Sequence, residues 1–207
     1  MNLIFATNNL YKLNEIRNLT NKNISVSGLS EVGFEGDIPE DFPTLEQNAS
    51  QKSWYIYKSL HQNCFADDTG LEVEALNGAP GVYSARFSRT GEIRYPFMEI
   101  TEGNIRKLLE LLHNECNRNA RFRTVISVIM EGIEYQFEGI VSGKIAKERS
   151  GSNGFGYDPV FIPDGENCTF AEMDLEAKNK ISHRGIAVNK LVTFLNQLSL
   201  DSGEVII

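Results

Sequence analysis

Leu3-Ile4-Phe5-Ala6-Thr7-Asn8-Asn9-Leu10-Tyr11-Lys12 joins an apolar run, a polar turn and the first residues of a helical pattern. The pattern continues beyond it, because leucine or isoleucine recurs every three residues from Leu10 to Leu19. Strand, turn and helix in this order are typical of α/β proteins. The N–H groups of the first helical turn favour an anion, and Lys12 adds a positive charge. Many such junctions bind nothing, so both interpretations stay open.

A second stretch, Phe65-Ala66-Asp67-Asp68-Thr69-Gly70-Leu71-Glu72-Val73, starts as an apolar run and breaks at two adjacent carboxylates. It predicts a strand that ends at these acids in a polar turn. Carboxylates at a strand end are held rigidly yet reach water, which suits divalent-metal binding or proton abstraction. The same residue types also make ordinary turns, so a plain turn is an equal alternative. Strand alternation predicts that Asp67 and Asp68 point to opposite faces unless a bulge intervenes.

The rest of the chain predicts further helices and strands around these two stretches. Thr44 and Gln47 form a capping-box pattern that starts a helix reaching His61 and carrying Lys52. Residues 122–130 predict a strand covered on both sides, and Glu131-Gly132 predicts the turn of a hairpin. We therefore expect one α/β domain over residues 1–207, with a mixed sheet flanked by helices and a second lobe that contains the hairpin.

Composition limits the classes of function. The 207 residues are 41% hydrophobic and 23% charged, as in ordinary globular proteins. The net charge of −8 argues against a surface that coats nucleic acid, although a small anion needs only a few local cations. The first residues lack the features of a signal peptide and no run has the length of a membrane span, so we expect a cytoplasmic protein. Three widely spaced cysteines indicate neither disulfides nor a zinc site.

Two later segments have the composition of ligand-binding loops. Gly154-Phe155-Gly156-Tyr157-Asp158 permits close approach of a ligand to the backbone and offers flat rings for stacking. An ordinary connection between strands is the alternative. Further along, Ser182 is a candidate N-cap that places His183 and Arg184 in the first turn of the last helix. Because the helix dipole disfavours cations there, we expect an anion or a base carbonyl to compensate them.

Taken in order, four segments resemble the inosine triphosphate pyrophosphatase family, the non-canonical purine nucleoside triphosphate pyrophosphatases. They begin at Phe5, Ala66, Gly154 and Ser182, and the second continues in Gly-Ala-Pro-Gly-Val-Tyr-Ser-Ala-Arg over residues 78–86. The resemblance implies hydrolysis of dITP, ITP and XTP to the monophosphate and pyrophosphate with Mg²⁺, or with Mn²⁺ as a substitute. It also implies a homodimer and an active site in the cleft between two lobes.

The resemblance further implies a role for each matching residue. Asp68 would accept the proton and bind the metal together with Glu40. Thr7, Asn8, Asn9, Leu10, Tyr11 and Lys12 would hold the triphosphate near Lys52, and Thr69 would contact the substrate. The nucleotide would be held by Phe155, Gly156, Tyr157, Asp158, Lys178, His183 and Arg184. Among these we expect His183 and Arg184 to donate to the 6-oxo group of the base and Phe155 to stack on its ring.

Two departures from the family pattern concern the first turn and one loop. Asn8 stands where many members have glycine. Residues 88–100 do not match the usual sequence of the family, and we expect them to form a mobile loop. Two other functions stay open at this point. One is a diphosphatase of broader range that includes modified pyrimidine nucleotides, and the other is a nucleotide-binding module without catalysis.

Overall fold

The structure is a computed structural model that describes residues 1–20 and 23–201. It contains a mixed sheet with the strand order β2-β1-β3-β5-β6-β7, and β4 pairs with β3. The strands are β1 (Asn2–Phe5), β2 (Ser25–Gly28), β3 (Cys64–Val73), β4 (Pro80–Gly81), β5 (Asn119–Met130), β6 (Ile133–Ile145) and β7 (Phe161–Pro163). The helices are α1 (Leu10–Leu19), α2 (Leu45–Leu60), α3 (Ile100–Leu111), α4 (Leu175–Ile181) and α5 (His183–Asp201). The predicted mixed α/β class is confirmed.

The chain divides into two compact units. Unit 1 contains Met1–Asp68, Thr124–Gly139 and the residues from His183 onward, and unit 2 contains Thr69–Arg123 and Ile140–Ser182. Both β5 and β6 contribute residues to each unit. The predicted turn Glu131-Gly132 is confirmed, with φ angles of 51° and 82°, and lies in unit 1. That the active site lies in a cleft between two lobes stays a prediction.

In unit 1, strand alternation sends side chains into two hydrophobic clusters. Phe5 and Phe65 pack with α1 and α5 in one cluster. Ala6 and Ala66 pack with Ile56 of α2 in the other. Because successive side chains of a strand point to opposite faces, Asp67 lies on the same face as Phe65, and Asp68 lies on the same face as Ala66. The two adjacent acids therefore belong to different faces, as the sequence predicts.

Strand β3 corrects one prediction, because it does not end at the two acids. It continues through Asp67 and Asp68 as far as Val73. Its second half pairs with β4, where Leu71 is opposite Gly81. A Cβ atom on Gly70 would lie 2.8 Å from the Gly81 carbonyl oxygen, so glycine permits this close approach. Turn-forming composition was misleading here because pairing with β4, the next strand along the chain, overrides the local preference.

Helix α2 and the segment over residues 88–100 rest on local hydrogen bonds. The Thr44 hydroxyl accepts from the Gln47 N–H at the start of α2, which confirms the predicted cap. In the segment, the Arg89 guanidinium donates to the carbonyl oxygens of Tyr95 and Met98. The predicted mobility of this loop stays a prediction. Within the described residues, no helix is both long enough and apolar enough to span a membrane.

Candidate active site

The segment after β1 begins α1 through its own side chains. The Asn9 side-chain oxygen accepts from the N–H groups of Tyr11 at 3.0 Å and Lys12 at 3.3 Å, and Thr7 Oγ1 accepts from the Asn9 N–H. Asn9 is therefore an N-cap, and two of the N–H groups expected to face an anion donate to it. Asn8, Leu10 and Tyr11 are exposed. Their contact with a triphosphate stays a prediction.

Asp67 lies in a buried cluster of alternating charges. The Lys12 ammonium is 2.8 Å from Asp67 Oδ1, and the Arg184 guanidinium donates to Oδ2 at 3.3 and 3.4 Å. Arg184 also contacts Glu15 on α1, at 2.5 Å. Arg184 is only 2% exposed. These two carboxylates compensate Arg184, a cation in the first turn of α5, and a further contact with a bound anion or base carbonyl stays a prediction.

The charges of this cluster shift the pKa values of its members. Burial alone would raise the pKa of Asp67, but Lys12 and Arg184 outweigh it and hold the pKa far below its ordinary value. Burial lowers the pKa of Lys12, and the attraction of Asp67 offsets only part of this effect. Asp67 is thus an ionised carboxylate bonded to two cations, which makes it a poor proton acceptor.

Asp68 lies in a second cluster, with residues of α2 and the acidic loop. The Lys52 ammonium is 3.1 Å from Asp68 Oδ1 and 2.5 Å from Glu40 Oε1. Asn48, one helical turn before Lys52, donates to Asp68 Oδ2 at 3.2 Å. Lys52 is 5% exposed and Asp68 is 7% exposed. Three of the predicted site residues are thereby brought together: Glu40, Lys52 and Asp68.

This second cluster differs from the first in its acid–base behaviour. Burial raises the pKa of Asp68, and the negative charge of Glu40 opposes the lowering effect of Lys52. For Lys52, burial favours the neutral amine, but Asp68 and Glu40 outweigh it and raise the pKa. A carboxylate with a raised pKa beside a charged lysine is suited to accept a proton.

The donor set of this cluster fits a hard divalent cation. Asp68 and Glu40 offer carboxylate oxygens that converge on one positive charge, the Lys52 ammonium. Among the described residues, no group of three or more His, Cys, Asp or Glu side chains is arranged to hold a metal. Mg²⁺ typically uses one or two carboxylates and takes its other ligands from water and substrate phosphates. The pair therefore suits magnesium better than a metal that needs a full protein cage.

In unit 2, Asp158 organises the predicted glycine-rich loop. Its Oδ2 accepts from the Phe155 N–H at 2.8 Å and from the Lys178 ammonium at 2.8 Å. The Lys178 ammonium also lies over the Phe155 ring, 5.0 Å from its centroid. Gly154 and Gly156 have positive φ angles of 72° and 61°, which explains the glycines. Three predicted residues thus form one group, with Phe155 half-buried.

The other predicted residues have separate environments. The Tyr157 hydroxyl donates to the Ser84 carbonyl at 3.0 Å, and burial raises its pKa, so the side chain acts within the fold of unit 2. Thr69 is half-buried in the middle of β3. His183, 3% exposed, is the first residue of α5, as predicted. The contacts of all three with a nucleotide stay predictions.

Sequence reasoning missed Glu15 and Asn48. Each lies three or four residues from a predicted lysine on the same helix, Glu15 after Lys12 and Asn48 before Lys52. Side chains with this spacing are neighbours on a helix surface, so the spacing alone pointed to them.

Comparison with known proteins assigns the family. The model of the Ham1 family matches residues 3–194. The chain belongs to the Ham1 family. It is 52% identical to the dITP/XTP pyrophosphatase of Porphyromonas gingivalis, over 93% of this chain and 96% of the relative. The dITP/XTP pyrophosphatase of Flavobacterium johnsoniae is 46% identical, over 94% and 98%.

Solved structures of Ham1 proteins have the same fold. The Staphylococcus aureus Ham1 protein is 41% identical, with a TM-score of 0.82, and the match covers 95% of this chain and 99% of that one. A HAM1 protein from Coxiella burnetii is 34% identical, with a TM-score of 0.84 and the same coverage. The family membership inferred from four short segments is confirmed along nearly the whole chain.

Proposed function

We propose that this Ham1 protein hydrolyses the non-canonical purine nucleoside triphosphates dITP, ITP and XTP to the nucleoside monophosphate and pyrophosphate. The observation that carries the proposal is the contact of the buried Lys52 ammonium with the buried Asp68 and the partly exposed Glu40, which joins a proton acceptor to a fixed positive charge. The relatives that carry the name dITP/XTP pyrophosphatase support the choice of substrate.

Hydrolysis of a triphosphate mainly requires that a water molecule be positioned and negative charge be neutralised. Asp68 accepts the proton of the attacking water, because it shares one lysine with Glu40, whereas Asp67 is bonded to both Lys12 and Arg184. Lys52 and Lys12 neutralise phosphate charge. Asp67 fixes the Lys12 ammonium through its 2.8 Å contact and takes no proton itself.

Asp68 and Glu40 would hold Mg²⁺, with Mn²⁺ as a substitute. When bound, the ion supplies a positive charge that draws electron density from the phosphate oxygens. An all-oxygen donor set without histidine favours these two ions over zinc. Lys52 contacts both carboxylates, so it also limits their mutual repulsion when no metal is bound.

Selection of the base is assigned to His183 and Phe155. A donor that faces the 6-oxo group of hypoxanthine or xanthine would be left without an acceptor by the 6-amino group of adenine. His183 is the donor we propose, and Phe155 offers its half-buried ring for stacking. Lys178 and Asp158 hold Phe155 in place through the contacts of unit 2. Arg184 acts indirectly on the site, because its guanidinium is hydrogen-bonded to Asp67 and Glu15.

The protein is further proposed to act as a homodimer in the cytoplasm, on free nucleotides and not on nucleic acid. The net charge of −8 supports a small substrate over a polyanionic one. The resemblance supports the homodimer. Light scattering combined with size exclusion tests the oligomeric state, and a mass of 23.2 kDa would contradict the dimer.

The decisive experiment measures pyrophosphate release from a panel of dITP, ITP, XTP, dATP, dGTP and modified pyrimidine triphosphates, with and without Mg²⁺. We expect one pyrophosphate for each dITP consumed, little from dATP, and none after chelation. Asp68→Asn should lose most turnover, while Asp37→Asn in the exposed part of the acidic loop is the matched control. Orthophosphate as the first product would refute the proposal. Thermal stabilisation by dITP without turnover would indicate a binding module instead.

A further inference from the structure

Glu134 on β6 forms hydrogen bonds that the proposed reaction does not use. Its Oε2 accepts from Ser50 Oγ at 3.1 Å and from the Trp54 indole N–H at 2.7 Å, and both donors belong to α2. Its Oε1 accepts from Ser127 on β5 at 2.8 Å and from Gln136 at 3.0 Å. We call these five residues the Glu134 network. One carboxylate thus joins α2 to two strands of the sheet, entirely within unit 1.

The two donors of α2 lie on one side of the helix, and Lys52 lies on the other. Ser50 and Trp54 are four residues apart, so they lie above one another on the same face. Lys52 is two residues from each, and at about 100° per residue it points to the opposite side. A bond to both Ser50 and Trp54 therefore fixes the rotation of α2 about its axis, and with it the direction of Lys52.

A second set of bonds fixes the height of α2 over the sheet. The hydroxyl oxygen of Ser53, the residue after Lys52, is hydrogen-bonded to that of Ser127 at 2.6 Å. The Ser127 hydroxyl donates to Glu134. The Cys64 thiol donates to the Ser53 carbonyl at 3.3 Å. Ser53 and Ser127 are fully buried. These bonds hold Ser53, which lies between Lys52 and Trp54 in the sequence, against β5 and β3.

The Lys52 ammonium needs this placement because its two contacts are short and come from different elements. Glu40 in the acidic loop is 2.5 Å away and Asp68 on β3 is 3.1 Å away. A rotation of α2 would move the Lys52 ammonium relative to both carboxylates, because neither of them belongs to α2. A displacement of about 1 Å at a reacting centre can lower a rate about 100-fold.

We propose that Glu134 is a positioning residue that sets the Lys52 ammonium against Asp68 and Glu40 through the rotation of α2. This inference rests on the proposed pyrophosphatase function. It extends the functional part of the chain to a carboxylate that touches neither substrate nor metal.

The test compares Glu134→Gln with Glu31→Gln. An amide has one oxygen where the carboxylate has two, so part of the network loses its acceptor. Glu31 is the matched control, because its carboxylate accepts from the Gly28 N–H and Arg17 without contacting α2. We expect kcat for dITP to fall roughly 10- to 100-fold in Glu134→Gln, with KM changed by less than about threefold. Glu31→Gln should keep the wild-type kcat.

Trp54 provides a readout that is independent of activity, because it is the single tryptophan of the chain and donates to Glu134. Its emission maximum should shift in Glu134→Gln and stay unchanged in Glu31→Gln. A double-mutant cycle with Lys52→Ala separates positioning from a general loss of folded protein. In the Lys52→Ala background, Glu134→Gln should lower kcat by less than about twofold, because the group it positions is already gone.

The outcomes separate the possible failures. Wild-type kcat in Glu134→Gln, together with normal pyrophosphate release by the wild type, would refute the positioning role alone. The positioning role would also be refuted if the reduction of kcat in the double mutant equalled the product of the reductions in Glu134→Gln and Lys52→Ala. Absence of pyrophosphate release by the wild type would refute the function and the inference together. If Glu134→Gln does not fold, Trp54→Phe and Ser50→Ala decide, since each removes one donor and should lower kcat in the same direction.

Discussion

Gly139→Ala should damage both the stability and the activity of the protein, because β6 and α5 meet at this glycine. An added Cβ atom would lie 2.0 Å from the His183 carbonyl oxygen and 2.6 Å from the Ala187 nitrogen. These two backbone atoms are an i to i+4 pair at the start of α5. Ordinary contact starts at 3.4 Å, so the His183 carbonyl must move by about 1.4 Å.

The expected loss of stability follows from the displacement of the His183 carbonyl. Overpacking in a well-packed core costs about 1–3 kcal/mol, and a rigid helix backbone places this case near the upper value. At about 2–4 °C per kcal/mol for a chain of this size, Tm should fall by roughly 5–10 °C. The same movement carries His183 and Arg184, so dITP turnover should fall about 10- to 100-fold at a temperature where the variant is fully folded.

Gly28→Ala on β2 is the control for this prediction. Its Cβ atom would meet Leu13 Cδ2 at 2.8 Å, but this is the end of a flexible side chain that can change rotamer. Differential scanning calorimetry and pyrophosphate release should therefore show a small effect for Gly28→Ala and a large one for Gly139→Ala. Equal Tm values and equal rates for the two variants would refute the reasoning from backbone contact.

Three further predictions concern the two units. Gly154→Ala would bring a Cβ atom within 2.1 Å of Asp158 Oδ2 at a φ of +72°. It should therefore raise KM for dITP several-fold. An unchanged KM would show that Asp158, Phe155 and Lys178 take no part in substrate binding. His183→Ala should narrow the ratio of dITP to dATP turnover, and an unchanged ratio would remove its role in selectivity. Burial would raise the pKa of Glu134, but its hydrogen bonds outweigh this and lower it. Urea titrations should therefore find wild type more stable than Glu134→Gln above about pH 5, with the difference lost as pH falls through the lowered pKa.

Local chemistry was sufficient for several elements. The strand β1, the helix α1 and the cap of α2 by Thr44 follow from short-range spacing and hydrogen bonding, and the structure agrees with all three. The Glu131-Gly132 turn is equally local, because both residues need positive φ angles. Where neighbours in sequence decide the structure, a single sequence is informative.

Long-range pairing was not accessible in the same way. Arg184 and Glu15 are 169 residues apart, and no short pattern indicates that they meet. The sequence raised the question of what compensates Arg184 and named a ligand, and the structure adds two carboxylates of the protein, Glu15 and Asp67. The predicted end of β3 at the two acids was wrong for a different reason, since the turn-forming composition of residues 67–70 does not reveal the pairing of Leu71 with Gly81 in the next strand.

The alternation of β3 is what separates the two adjacent acids chemically. Asp67 points to the face of α1 and α5, where Lys12 and Arg184 hold it ionised. Asp68 points to the face of α2, where one lysine is shared with Glu40 and burial raises the pKa. A bulge between them would place both carboxylates on one face and remove this difference. The period of the strand therefore supports the proposed roles, in which Asp67 fixes a lysine and Asp68 accepts a proton.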